Sequence, residues 1–235
     1  MELTDNEAHH AVRVLRLQPG ERVTVLDGAG HELICEVREA ARRTVRLGVL
    51  HKTFSPLLPC QITLLQAVPK AKAMDYIIQK ATELGAARVV PILSERVVIH
   101  LDESDAADKS AKWQQIAVES IKQCGSPWLT KIETPVTLKN HLARREKFDL
   151  PLIASLRDER RHPREIIRQF REEHQRAPTT ACVWIGPEGD FSPAEINLLK
   201  AEGAWPITLG RLVLRSDTAA IYSLSVLNYE LQTAG

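Results

Sequence analysis

Long apolar runs are missing from this 235-residue chain. Nothing in it approaches the roughly 18 apolar residues that cross a bilayer, so no membrane partner is expected. A secretory leader is missing too, because the start, Met1-Glu-Leu-Thr-Asp-Asn-Glu7, is acidic and polar. Charge of one sign is not in excess. The 31 Lys and Arg against 30 Asp and Glu leave +1, so any nucleic-acid contact must come from local patches. The cysteines, Cys35, Cys60, Cys124 and Cys182, are widely spaced without a Cys-x-x-Cys pair, and the histidines show no His-Glu-x-x-His. That argues against a zinc site and suits reduced thiols in a cytosol, so no metal and a cytoplasmic location are expected. Familiar phosphate motifs are absent as well. Gly186-Pro-Glu-Gly189 lacks the Gly-Lys-Ser/Thr of a phosphate loop, and Leu33 stands where a dinucleotide fingerprint opening at Gly28 needs its third glycine. No Ser/His/Asp order points to acyl transfer.

What is present is ordinary globular material, 44% hydrophobic and 26% charged, which excludes wholesale disorder, collagen and coiled coil. The first part reads as β: alternation over Glu21–Asp27, a Gly28-Ala-Gly30 turn, then His31–Val37 and Thr44–Leu50. Short strands with tight turns predict a small barrel or sandwich. His51–Pro59 carries two prolines and reads as a linker. From Gln61 strands and helices alternate. Gln61–Ala67, Arg88–Leu93, Leu152–Leu156, Ala181–Ile185 and Trp205–Leu209 read as strands. Lys72–Leu84, Ala111–Cys124, Pro163–His174 and Thr218–Leu231 read as helices, and Ser192-Pro193-Ala-Glu195 opens another with a capping box. This alternation predicts an α/β fold with a mostly parallel sheet.

Ligands of such sheets bind beyond the carboxyl ends of the strands. Three loops stand there: Ile185–Ser192, Leu209-Gly210-Arg211 and Leu214–Ala219. Each has a bland reading. A glycine loop between strand and helix is usually a turn, Ser216, Asp217 and Thr218 serve as helix caps elsewhere, and Arg215 fits a surface charge. Three such loops together favour a ligand site. Cations cluster at Arg38–Arg46 and Arg157–Arg164, and Arg13 and Arg16 would share one face of a helix. Such runs are usually solvated surface, but phosphate recognition needs them.

These loops and several runs resemble one family. His9-His10, Val14-Leu15-Arg16, Pro19-Gly20, Ala67-Val-Pro69-Lys70, Met74-Asp75 with Ile77-Ile-Gln-Lys-Ala-Thr-Glu-Leu-Gly85, Pro91-Ile-Leu-Ser-Glu95-Arg96, Ile185-Gly-Pro-Glu-Gly189, Leu209-Gly210, Leu214-Arg215 and Thr218-Ala219 follow its pattern in order. The sequence resembles the ribosomal RNA small subunit methyltransferase E family of the SPOUT superfamily. The resemblance implies a PUA-like β-barrel RNA-binding domain over residues 1–58. It implies a SPOUT α/β methyltransferase domain with a deep trefoil knot over residues 59–235. The family's first strand is unmatched, so a barrel shortened at its N-terminus is expected.

The resemblance also implies S-adenosylmethionine as methyl donor, 3-methyluridine in 16S rRNA of the small ribosomal subunit as product, and a homodimer. Carried over residue by residue, Leu156, Ile185, Gly186, Pro187, Glu188, Gly189, Leu209, Gly210, Leu212, Val213, Leu214 and Thr218 would bind the donor. Arg13, Arg16, Lys70 and Arg96 would contact RNA. Arg215 would stabilise charge on the uracil oxygens, and Glu188, or else Asp217, would take the N3 proton. The chain departs from the pattern at Ala71, Ser126, Asp190 and Leu212. These departures keep a second reading open, a non-catalytic RNA-binding or ribosome-assembly factor on the same fold.

Overall fold

The computed structural model describes residues 1–69, 73–96, 103–156 and 160–232. The chain divides into two compact units, one of Met1–Leu57 with Gly125–Trp128, the other of Leu58–Cys124 with Leu129–Gly235.

The smaller unit holds β1 (Glu2–Thr4), α1 (Asp5–His9), a π-helical turn (His10–Val14), β2 (Arg22–Leu26), β3 (His31–Ala41) and β4 (Thr44–Phe54). The strands form an antiparallel sheet in the order β1-β4-β3-β2. Ala8, Ala11, Cys35, Val37, Val45 and Leu47 make its buried core. The Gly28–Gly30 turn joins β2 to β3, with φ of +71° and +95° at its two glycines. Asp27 Oδ1 accepts the Ala29 and His31 N–H groups at 2.8 and 2.9 Å, which fixes that turn. A Cβ at Gly30 would lie 2.5 Å from the Trp128 ring, so only glycine lets this tryptophan pack there. Trp128 Nε1 donates to the Ser55 carbonyl at 3.0 Å, and the Gly30 N–H donates to Pro127 O at 2.9 Å.

Two expectations for this unit are corrected. The supposed linker His51–Pro59 is strand as far as Phe54, paired with the start of β3 from His31 opposite Phe54. Its exposed, mixed composition hid the strand, and it ends where Pro56 removes a donor. Arg13 and Arg16 do not share a helical face. The helix widens to a π turn, Leu15 N–H bonds to His10 O, and Arg16 lies beyond it at φ +55°.

The larger unit contains β5 (Gln61–Ala67), α2 (Ala73–Glu83), β6 (Arg88–Leu93), α3 (Glu103–Cys124), β7 (Lys131–Ile132), β8 (Val136–Thr137) and α4 (Leu138–Leu142). It continues with β9 (Leu150–Ala154), α5 (Pro163–His174), β10 (Thr180–Ile185), α6 (Pro193–Ala201), β11 (Trp205–Ile207) and α7 (Ser216–Gln232). All pairs are parallel in the order β11-β9-β10-β5-β6-β7, with β8 also on β6. Side chains alternate between two buried layers, as strand geometry requires. Ala181, Val183 and Ile185 face the layer of α2, α3, α5 and α7, while Cys182 and Trp184 face that of α4 and α6.

Several boundaries differ from the pattern. α3 starts at Glu103 rather than Ala111, because its first turns bury only Ala106 and expose Asp105 and Asp108. β9 covers Leu150–Ala154 rather than Leu152–Leu156, and β11 stops at Ile207, so Ser155, Leu156 and Leu209 lie in loops. The expected helix from Ser192 carries its full capping box, Ser192 Oγ accepting the Glu195 N–H and the Glu195 carboxylate accepting the Ser192 N–H. Helix α7 pins the sheet from its far end. The Gln232 amide pairs with both backbone groups of Cys60, and Asn228 Nδ2 caps α2 at Leu84 O at 2.9 Å. The four cysteines are free thiols; burial pushes Cys60 up to about 12 and Cys182 further.

Asp149 closes the gap between β9 and β10. It receives both Arg176 Nη atoms at 2.7 and 2.8 Å and the Thr179 N–H at 2.8 Å. The Arg176 hydrogen bonds, ahead of those from Thr179, hold its carboxyl well below the usual carboxylate range. Asp149→Asn is expected to lower the unfolding free energy by about 1–2 kcal/mol at pH 7, toward the low end because Arg176 is half exposed. A depressed folded pKa adds stability that is complete above the unfolded value of about 3.9 and fades as pH falls below it toward the folded value. The difference in urea midpoint between the two proteins should therefore be constant from pH 7 to about pH 5 and begin to narrow below about pH 4; a gap that stays constant below that pH would contradict this account.

Candidate active site

β11, β9 and β10 are neighbours, so the loops that follow them emerge side by side. They are Ser155–Leu156, Gly186–Ser192 and Thr208–Arg215. Together they wall a cleft that opens to solvent.

The first loop is tied to the end of β11 and to the second loop. Ser155 N–H donates to Ile207 O at 3.3 Å, and Leu156 N–H to Asp190 Oδ2 at 3.3 Å. The second loop turns at Pro187, whose carbonyl accepts the Asp190 N–H at 2.9 Å. Asp190 is left-handed at φ +61°, and its Oδ1 accepts the Phe191 N–H. A Cβ at Gly186 would come within 3.0–3.2 Å of Asp190 and of the Phe191 nitrogen, so a side chain there would press the turn open by a few tenths of an ångström. The third loop bends at Gly210, φ +110°, with Thr208 Oγ1 accepting its N–H at 3.2 Å.

A buried relay forms the back of the cleft. Gln66 is fully buried at the end of β5 and donates through Nε2 to Ala67 O and to Ser216 Oγ, both at 2.9 Å. Ser216 Oγ in turn donates to Gly186 O at 3.0 Å. The first residues of α7 and of the second loop are thereby fixed to β5.

Most residues expected at a donor site meet in this cleft. Leu156 lines it from the first loop, Ile185, Gly186, Pro187 and Glu188 from the second, and Leu209, Gly210, Leu212, Val213 and Leu214 from the third. Gly189 belongs to the same turn but does not line the cleft. Thr218 sits in the first turn of α7, its N–H on Asp217 Oδ1 at 2.7 Å. Arg215 is exposed between the third loop and α7, and its carbonyl accepts the Ala219 N–H. Arg13 and Arg16 are exposed in the smaller unit. Lys70 lies outside the described residues. Arg96 donates through Nη1 to the carbonyls of Gly189 and Asp190.

Pattern reading held Asp190 and Ser216 inside its candidate loops without giving them a role at the site, and missed Ser155, Arg160 and Gln66 as parts of this region. Arg160 was one of a cation-dense run; its Nη1 reaches Ser155 O at 3.4 Å and its side chain lines the cleft. Gln66 carried a usable signal, an amide inside an otherwise apolar strand, since a buried polar group needs a partner. The lining is mainly apolar side chains and backbone, with Arg160, Glu188 and Asp190 its charged members among the described residues. No three His, Cys, Asp or Glu side chains gather as metal ligands among those residues.

Comparison with known proteins assigns this architecture to a class. Residues 56–228 match the RNA methyltransferase domain family, and residues 3–50 the RNA methyltransferase PUA domain family. The ribosomal RNA small subunit methyltransferase E of Aquifex aeolicus is 31% identical over 96% of this chain and 92% of its own length. That of Bacillus subtilis is 29% identical over 98% of this chain and 90% of its own. A Legionella pneumophila methyltransferase solved with bound SAM cofactor superposes with a TM-score of 0.86 at 30% identity, covering 98% of this chain and 91% of that one. The chain belongs to the ribosomal RNA small subunit methyltransferase E family.

The two loop glycines are not equivalent. Gly186→Ala is expected to lower stability by about 1–3 kcal/mol, because its Cβ meets backbone that cannot swing away. Gly189→Ala, whose Cβ would stand 3.7 Å from the Arg96 side chain, should stay within about 0.5 kcal/mol of wild type. Chemical denaturation of both variants checks the contrast.

Proposed function

We propose that this protein methylates N3 of a uridine in 16S rRNA, with S-adenosylmethionine held in the cleft between the three loops. The observation that carries the reading is the meeting of three separate loops around one cleft in a member of this family; sequence marked the second and third as ligand loops, while the first was read as the end of a strand. The residues fit such a donor. The apolar walls suit an adenine and a thioether chain, and Gly186 lets the second loop close against Asp190 and Phe191. Arg160 complements the carboxylate of its amino-acid end.

S-adenosylmethionine supplies a methyl group that its sulfonium sulfur already makes electrophilic. The chain's task is placement. Backbone groups of Gly186, Leu209, Gly210 and Leu214 orient the donor, and the Gln66–Ser216 relay keeps Gly186 where that orientation requires it. Holding uracil N3 in line with the methyl group removes much of the entropic barrier, an effect worth up to about 7–11 kcal/mol in favourable intramolecular cases. Glu188, inside the cleft, accepts the N3 proton. Arg215, at its margin, stabilises charge growing on the uracil oxygens. The target uridine must be unstacked for N3 to be reached, and Arg13 and Arg16 supply phosphate contacts on the smaller unit.

Three further features belong to the same proposal. The loops after β9 and β11 and the start of α7 thread as a trefoil knot, as membership of this family suggests, and pulling the chain from both ends should give an extended length short of an unknotted one. The protein is a homodimer, supported by exposed apolar groups beside the cleft, Leu212 at 79% and Val213 at 75%, and by exposed Tyr222 and Tyr229 on α7. It acts in the cytoplasm on the small ribosomal subunit.

Calorimetry should show S-adenosylmethionine binding to the isolated protein, and nucleoside mass spectrometry should show 3-methyluridine in 16S rRNA lost on gene deletion and restored by complementation. Absence of donor binding would end the proposal, and salt-sensitive RNA binding without methyl transfer would favour a non-catalytic factor. Arg215→Ala is expected to reduce turnover about 10²-fold while donor affinity changes little. Unchanged single-turnover rates would remove Arg215 from the chemistry.

A further inference from the structure

Arg96 follows β6 and does not line the cleft, yet its side chain is committed to the loop that does. Nη1 donates to Gly189 O and, at 3.4 Å, to Asp190 O. A Cβ on Gly189 would stand 3.7 Å from both Cδ and Nη1 of Arg96, so the arginine runs along the open side of that glycine. The neighbouring residue grips the same loop further on. Glu95 N–H donates to Glu195 Oε1 at 2.9 Å, while Glu195 Oε2 receives the Ser192 N–H at 2.8 Å. Glu195 is buried, which makes that bridge rigid. Two consecutive residues after β6 therefore hold both ends of the segment Gly189–Ser192.

What is held is a demanding conformation. Asp190 is left-handed without being glycine, and it carries the bond to Leu156 N–H that joins the second loop to the first. Such a backbone persists only where its surroundings impose it. Two successive carbonyls turned toward one side also concentrate partial negative charge, which a guanidinium neutralises through charge-assisted hydrogen bonds.

We propose that Arg96 is a positioning residue for the methyl-donor loop rather than an RNA contact. It acts through the Gly189 and Asp190 carbonyls and sets the loop before the donor arrives, sparing the binding step the ordering of that segment. This inference rests on the donor reading above but can fail separately from it.

The test uses the full chain without RNA. Amide hydrogen exchange of residues 186–191 is expected to accelerate in Arg96→Ala and to recover partly in Arg96→Lys, whose ammonium reaches a carbonyl but lacks the fork. S-adenosylhomocysteine affinity by calorimetry should fall about tenfold in Arg96→Ala, the scale of one lost charged hydrogen bond, with partial recovery in Arg96→Lys. Affinity of the donor-free protein for 16S rRNA fragments, and its salt slope, should stay as in wild type. The inference is overturned if exchange and S-adenosylhomocysteine affinity match wild type. It falls most clearly if RNA affinity then drops with a salt slope smaller by about 0.7, the mark of one lost phosphate contact on a single strand. Failure of the wild type to bind S-adenosylhomocysteine would sink the donor reading, and the exchange measurement would still decide the strut.

Discussion

A buried amide governs this structure. Strand alternation puts Gln66 on the face of β5 toward α2, α3, α5 and α7, where it is sealed from solvent and its Nε2, though not its Oε1, finds protein partners. Its two donor bonds go to its neighbour's carbonyl and to Ser216, which passes its own proton to Gly186. Three points far apart in sequence are thus one unit in space. Leaving any member unpaired exposes the others to a penalty of about 1–3 kcal/mol, so the arrangement is held as a set. The far end of α7 repeats the tactic with Gln232 and Asn228. A helix anchored at both ends in this way can serve as the fixed wall against which the loops are shaped.

The cleft that results is defined by backbone more than by side chains. Glycine at 186 and the left-handed bends at Asp190 and Gly210 set its outline. Few charges enter it. That distribution suits a reaction in which the reagent brings its own reactivity and the protein contributes placement. It also explains why the same loops contain so few residues with a recognisable chemical role.

Much of this was legible beforehand because burial writes itself into composition. β5, β6 and α5 have the bounds that apolar runs and helical period give them, since each is flanked by strong punctuation and faces a core. The Ser192 cap is a local motif and reads locally. The motif-bearing loops were legible as loops, and ten of their residues converge. What escaped has physical reasons. Residues 51–54 are strand without a buried face, so no alternation marks them. The π turn at His10–Val14 shifts the angular spacing on which the pairing of Arg13 with Arg16 depended. The two-residue strands β7 and β8 are too short for any period. Arg160 and Arg96 look like solvated cations because their partners are backbone carbonyls, which leave no trace in side-chain pattern.

Trp128 has an implication for dissection of this protein. It reaches its place against Gly30 and Ser55 from a position more than seventy residues downstream, inside the span of the larger unit's sequence. A stop codon after the last residue of β4 would thus release a fragment stripped of an indole that its glycine turn is shaped to receive. Likewise, a chimera exchanging only the leading segment would bring together a turn and a tryptophan that had not evolved as a pair. The smaller unit is modular in outline but not in covalent structure, and its inheritance has to be followed at two places in the gene.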